Sequence, residues 1–263
     1  MSYDVQKAGM WKRISAFLFD FILLTIVAVG FATLLSWALK YDDYLDARND
    51  CVAQYEEEYR ISFSITEEDF NTLAEEEKAK YNQAYGDAYK SAYEELLKDP
   101  VFAVADQMVF NLMLIILSFS ILIAYLILEF AVPMFFKNGQ TLGKKVFGIA
   151  LMRIDGVKID GPMLFTRSIL GKYVVETMIP IIFLIMIFIG AVGGIVGLIA
   201  IGAIVITNIV MLIVTKDNCA IHDTISGTVA VDMASQLIFE TPEALLEYKQ
   251  KIHAEAAENA QYF

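Results

Sequence analysis

The stretch VVETMIPIIFLIMIFIGAVGGIVGLIAIGAIVITNIVMLIV, from Val174 to Val214, decides the fold. Its only charge is Glu176, near the start. About 20 apolar residues cross a bilayer's hydrocarbon core, so this block is about twice the length of one span. As a single helix at 1.5 Å per residue it would overshoot the bilayer by about 30 Å. Its middle, Gly190 to Gly197, reads GAVGGIVG. Glycine clusters break or tightly turn helices, although Gly190 and Gly194 also have the spacing of a helix-packing pair. Read as a helix hairpin, the block supplies two spans and fixes the parity of the whole chain.

Two further apolar runs lie upstream. Ile14 to Leu39 is interrupted only by Asp20, and Val109 to Phe136 carries Glu129 and Pro133 near its end. The first is too long for a signal-peptide core and ends without an AxA-like cleavage site, so it reads as a retained span. The total is four spans. Short-loop basic residues set the orientation. Lys7, Lys12 and Arg13 flank span one, and Lys137, Lys144, Lys145, Arg153, Lys158, Arg167 and Lys172 fall between spans two and three. Both segments are therefore placed in the cytoplasm, with both termini, and residues 40–106 outside.

Composition agrees. The mean hydropathy is +0.53 and 57% of residues are hydrophobic, above the ~45–50% of soluble domains. The net charge of −12 argues against nucleic acid, whose binders need a basic face. Cys51 and Cys219 fall on opposite sides of the membrane in this topology, which excludes an intrachain disulfide. Cys51 is then an unpaired thiol or a link to a second chain. Zinc and cluster chemistry lack ligands, since there is no CxxC and only His222 and His253. No nucleophile–base pair or cofactor motif stands at a plausible site, so an enzyme is the weakest reading.

The expected fold class is an all-α membrane protein with four transmembrane helices, an extracellular helical hairpin and a small cytoplasmic β-hairpin. The segments are 1–39 (tail and span one), 40–106 (acidic outer hairpin), 107–136 (span two), 137–173 (basic loop), 174–215 (spans three and four) and 216–263 (C-terminal segment). In the outer segment Tyr41, Tyr44, Leu45, Arg48, Cys51, Val52, Tyr55 and Tyr59 recur at helical steps, which predicts that span one continues outward as a helix. Thr66 with Asp69 predicts a capped return helix, and Tyr81, Tyr85, Tyr89 and Tyr93 form a second stripe. Interhelical packing is the plain reading of these tyrosines, and a partner-binding face the sharper one. Asp99-Pro100 predicts the cap and first residue of the helix entering span two.

Asn138 to Lys145, NGQTLGKK, superficially resembles a phosphate loop, but three residues rather than four separate its glycines and Lys145 stands where Ser or Thr is needed. Thr141 reads instead as a helix cap. Asp155-Gly156 between Ile149–Ile154 and Val157–Ile159 predicts a β-hairpin, and Pro162 to Lys172 an amphipathic interfacial helix.

The polar residues inside the spans are the candidate site. Asp20, Glu129 and Asn208 each lie seven residues, about 10 Å, from the inner end of their span, and Glu176 lies slightly shallower. Charges at such depth need compensation. Asp20 and Glu129 could share a proton, pair with Arg13, or bind a monovalent cation or proton. The structural alternative has Asp20 bonded to Arg13 or to helix ends from the inner loop.

Three motifs carry a resemblance. AGMWKRISAFLFD (Ala8–Asp20), GQTLGKK (Gly139–Lys145) running on to RIDG (Arg153–Gly156), and HDTISGTVAV (His222–Val231) together resemble the RDD family of bacterial membrane proteins, in the family's order. The resemblance covers residues 8–39 and 109–232 and leaves out the outer domain. It implies a bacterial cell membrane, Arg13, Asp20, His222 and Asp223 as motif residues, no cofactor, and, for some members, sodium or potassium/proton antiport. The position before His222, often basic or aromatic in the family, is here Cys219-Ala220. His222-Asp223 reads either as a proton relay or as a cap that bonds Arg13. Two functions follow: an antiporter using the carboxylate cluster, dimeric because four spans are few, or a non-transporting protein that displays the acidic hairpin to a partner.

Overall fold

The computed structural model describes residues 4–136, 138–191 and 193–260; Lys137 of the basic loop and Val192 of the glycine cluster lie outside the described residues. In chain order the elements are α1 (Met10–Ala38), α2 (Tyr41–Tyr59), α3 (Glu67–Thr72), α4 (Glu75–Lys78), α5 (Tyr85–Leu96), α6 (Pro100–Phe135), α7 (Leu142–Val146), β1 (Ile149–Arg153), α8 (Gly161–Phe188), α9 (Gly194–Val214), α10 (Ile221–Ser226), β2 (Thr228–Asp232) and α11 (Pro242–Ala260). Among the described residues α1, α6, α8 and α9 are long and apolar enough to cross a membrane. The protein is therefore a multi-span membrane protein in contact with lipid. Trp11 and Trp37, 81% and 80% exposed, stand near the two ends of α1. At 1.5 Å per residue they are about 39 Å apart, close to the bilayer thickness including its interfaces, where tryptophan concentrates.

The glycine cluster turns as expected. α8 ends at Phe188, Gly190 adopts φ +71°, and α9 starts at Gly194. Ile187 packs on Gly197, where a Cβ would come within 2.5 Å of its side chain. The block is two spans.

The chain divides into two compact units. One comprises residues up to Val29 together with those from Ser120 onward. Its sheet corrects one expectation. The Asp155-Gly156 turn does form, with the Arg153 N–H donating to the Val157 carbonyl at 2.8 Å and a single bridge between Met152 and Lys158. The full-length partner of β1, however, is β2, antiparallel with Ile149 opposite Asp232 and Arg153 opposite Thr228. β1 is buried on both faces, which favours a neighbour apolar at its centre, and Val229-Ala230-Val231 meets that where Val157-Lys158-Ile159, with a lysine in the middle, does not. A second correction concerns Pro162–Lys172. It is no separate interfacial helix but the first turns of α8, with Arg167, Ser168, Ile169 and Gly171 buried. Thr141 caps α7 as predicted, accepting from the Lys144 N–H.

The other unit, residues 30–119, holds 18 acidic against 7 basic residues between positions 40 and 106, a net −11. α1 does not run on unbroken, because Lys40 takes a left-handed conformation (φ 53°) between α1 and α2. α2 closes with Arg60 also left-handed. The Ile61 N–H reaches the Glu56 carbonyl at 3.0 Å and Arg60 N–H that of Glu57 at 3.3 Å, the paired bonds of a Schellman motif. The return is three short helices rather than one. Thr66 and Asp69 form the predicted capping box on α3, and Asp99 caps α6 by accepting from Val101 and Phe102. Of the second tyrosine stripe, Tyr85 is central. Its ring stacks on Phe70 at 4.2 Å, it is 2% exposed, and its hydroxyl lies 2.7 and 2.8 Å from the Ser62 and Ile65 carbonyls. Those contacts pin the 61–65 connection to α5.

Tyr85→Phe keeps the stack and removes the hydroxyl, leaving two part-buried carbonyls without their donor. It should destabilise this unit by about 1–3 kcal/mol, measurable as earlier proteolysis between residues 60 and 85 in a denaturant series on purified full-length protein.

Candidate functional site

The polar residues of the spans meet basic residues contributed by the loops and by α8. Asp223 is the hub. It is 1% exposed at the side chain, accepts from the Ala220 N–H at 2.9 Å to cap α10, and is bound by Arg167 and by Arg13 Nη2 at 3.4 Å. Arg13 also donates to the Asn218 carbonyl. Arg167 reaches the Thr228 hydroxyl at 2.7 Å, which tethers the start of β2. Burial alone would raise the Asp223 carboxyl. Arg167, with His222 and Arg13, outweighs it and holds the carboxyl well below the usual carboxylate range.

Glu176 forms the second node. His222 Nδ1 lies 2.8 and 2.9 Å from its oxygens, and the His222 backbone N–H donates to it at 3.1 Å. Asn208 hydrogen-bonds Glu176 and accepts from the Ile221 N–H at 3.0 Å. Burial, joined by Arg167, pushes the His222 imidazole down, so it is neutral at pH 7. Its N–H then donates to the carboxylate, with the tautomer fixed by that acceptor.

Glu129 forms the third. It sits in a π-helical stretch of α6, Leu126–Ala131. Lys172 Nζ lies 2.6 Å from its Oε2, and the Ser168 hydroxyl donates at 2.6 Å to its backbone carbonyl, whose α-ladder donor four residues on would be Pro133, which has no N–H. Lys172 and Arg167 lie in the π-helical part of α8, Thr166–Met178. Where each N–H bonds five residues back, residues five apart share a face, which is how Arg167 and Lys172 both turn inward.

Asp20 is held by none of these. Its Oδ1 accepts from the Gly143 N–H at 2.7 Å and its Oδ2 from the Thr141 hydroxyl at 2.5 Å, so it binds the start of α7. Of the pairings open to it from the sequence, bonding to a helix end of the inner loop is the one found. It pairs neither with Glu129, which has Lys172, nor with Arg13, which has Asp223. The approach is close: a Cβ on Gly143 would lie 2.4 Å from the Ala16 carbonyl oxygen and 2.9 Å from the Asp20 carboxyl.

Sequence reasoning singled out the acids together with Arg13 and His222, and missed the remaining basic residues of the cluster. Lys144, Arg167 and Lys172 counted only as loop charges for orientation. The available signal was the sequence Arg167-Ser168 with Lys172 and Glu176, polar residues at steps of four and five running into an apolar span. Among the described residues no group of His, Cys, Asp or Glu is placed to hold a metal ion, and both cysteines are free and buried.

Asp223→Asn leaves two buried guanidinium groups without their anion and should cost about 3–5 kcal/mol, read as a lower thermal midpoint in detergent. Because the Asp223 carboxyl is depressed in the fold, its contribution is complete above about pH 4 and drains away below that. The mutant should therefore lose less stability than wild type on acidification. Gly143→Ala should cost about 1–3 kcal/mol by overpacking against α1 backbone, and Gly171→Ala similarly, since its Cβ would meet His222 Cβ at 2.6 Å.

No curated protein and no solved structure matches the chain. The sequence profile of the RDD family matches residues 7–227, a range that opens just before Arg13 and Asp20 and closes just after His222 and Asp223. It runs across the acidic unit as well as the spans. With Arg13 on Asp223, Asp20 on the GQTLGKK turn and His222 on Glu176, the matched residues are those that tie the helices together, and the chain belongs to the RDD family.

Proposed function

We propose that this RDD family protein is a non-transporting membrane anchor that displays its acidic unit, on the outer side of a bacterial cell membrane, to a partner with a cationic surface. The observation that carries the reading is that each carboxylate of the cluster is already occupied by groups of the chain itself. Glu129 has the Lys172 ammonium at 2.6 Å, Glu176 has His222, Asp223 has two arginines, and Asp20 has an N–H and a hydroxyl. A sodium or potassium ion would have to displace a lysine tethered by the chain itself, against both its proximity and its fixed geometry. Among the described residues no carboxylate of the cluster is left open for a sodium or potassium ion, and the protein is read as a non-enzyme. The net −11 of residues 40–106 supports a partner of opposite charge. Basic residues on both sides of α1's start and in the 138–172 segment support cytoplasmic termini.

A cation/proton antiporter is the second reading. It is favoured by one pair, His222 on Glu176 with Asn208 beside them, because an imidazole in direct contact with a carboxylate is an arrangement through which a proton can be passed.

Proteoliposomes carrying an internal pH dye, pulsed with sodium or potassium, separate the two. The anchor reading expects no cation-driven proton flux from folded wild type across the cations tried. Flux that disappears in a folded Asp20→Asn or Glu176→Gln variant would establish the antiporter instead.

A further inference from the structure

Of the four acids of the cluster, Glu129, Glu176 and Asp223 have a basic side chain as direct partner; the half-buried Asp20 has none. One buried base likewise has no acid. Lys144 is 8% exposed, its Nζ has the Thr141 hydroxyl at 3.3 Å, and among the described residues no carboxylate oxygen lies within ion-pair distance of it. The unmatched acid and the unmatched base share an intermediary, since the Thr141 Oγ1 that accepts from Lys144 Nζ donates to Asp20 Oδ2 at 2.5 Å.

We propose that Lys144 is a proton-binding site of this protein, linked through the Thr141 hydroxyl to Asp20, and that its protonated form holds α1 against the start of α7. An ammonium buried without a carboxylate in contact is the arrangement in which lysine gives up its proton most readily. The groups facing it are Asp20 from α1, Glu129 from α6, and Arg167 and Lys172 from α8. On its own helix Lys145 points away, its ammonium 3.7 Å over the Phe136 ring. Burial and Lys172 push the Lys144 ammonium down to about 7, against the pull of Glu129 and Asp20. The network then holds four acids, Asp20, Glu129, Glu176 and Asp223, against three permanent cations, Arg13, Arg167 and Lys172. Protonated Lys144 is the fourth cation of the cluster.

The direction follows from linkage. Asp20 raises the proton affinity of Lys144, so by reciprocity a proton on Lys144 favours Asp20 in place. Docking of α1 on α7 is strongest below neutrality and weakens as pH rises through the Lys144 midpoint. This is separate from global unfolding, where a depressed lysine makes the fold more stable, relative to the unfolded chain, from about pH 7 up to about pH 10.5. The site is independent of whether the protein moves ions.

Full-length protein labelled with carbon-13 at lysine Cε, reconstituted in nanodiscs and titrated by NMR from about pH 5.5 to about pH 10, tests this directly. One lysine signal should titrate near neutrality, be absent in Lys144→Met, and move down by about half a pH unit or more in Asp20→Asn. Lys144→Arg, which keeps a cation and removes the lysine signal, serves if the methionine variant does not fold. Amide exchange at Gly143, corrected for its intrinsic pH dependence, should speed up across the same midpoint in wild type and stay level in Lys144→Arg. The proposal is overturned if every lysine titrates above about pH 9.5, if the near-neutral signal survives loss of Lys144, if Asp20→Asn leaves its midpoint in place, or if Gly143 exchange follows the intrinsic rate throughout.

Discussion

Asp223 is the constraint on which the membrane unit rests. One carboxylate, buried to 1% exposure, fixes α1 through Arg13, α8 through Arg167 and the start of α10 through its own backbone cap. Arg167 extends the attachment to Thr228 and so to β2. In lipid, apolar surfaces give helices little reason to prefer one another over acyl chains, so specificity falls to close packing and to polar contacts. Here the polar contacts are concentrated where the helices end and the short elements begin. The small sheet, the α7 turn and α10 thus act as the fitting into which the helix ends are seated, with Gly143 and Gly171 clearing room for the approach.

The π-helical stretches belong to the same design. Glu129 and the Arg167–Lys172 pair all fall within them, and each stretch turns a polar side chain inward at a position where an α-helix would have spread these residues around its circumference. The cost is a weaker backbone ladder. The Ser168 hydroxyl on the Glu129 carbonyl offsets part of that cost by supplying a bond the ladder lacks.

Much of this was legible in the residues. Runs without charge gave the spans, Gly190 to Gly194 gave the turn between the last two, and Thr66, Asp99 and Thr141 announced their helix starts, because each is a local device whose partner lies a few positions away. What was not legible is non-local. Nothing within Ile149–Arg153 says that its neighbour is Thr228–Asp232 rather than the nearer Val157–Ile159. The decision rests on both faces of β1 being covered, which only the assembled unit reveals. Likewise Asp20, Glu129 and Glu176 stood out as acids in apolar surroundings, while Lys144, Arg167 and Lys172 were hidden among loop charges. A basic residue just outside a span looks like an orientation signal whether it faces water or turns back into the protein.

The pairing of Arg13 with Asp223 joins residues 210 positions apart, and that separation sets an order of events during synthesis. At about 5–20 residues per second, α1 emerges about 10–40 s before Asp223 exists. For that interval Arg13 has no Asp223 to meet, whereas Asp20 can bind the α7 turn once Gly143 has been made. This helix is therefore secured in two steps, first through Asp20 and last through Arg13. Its early residence in the membrane depends on its apolar length and its interfacial tryptophans, and the electrostatic closure comes only when the final span has been delivered.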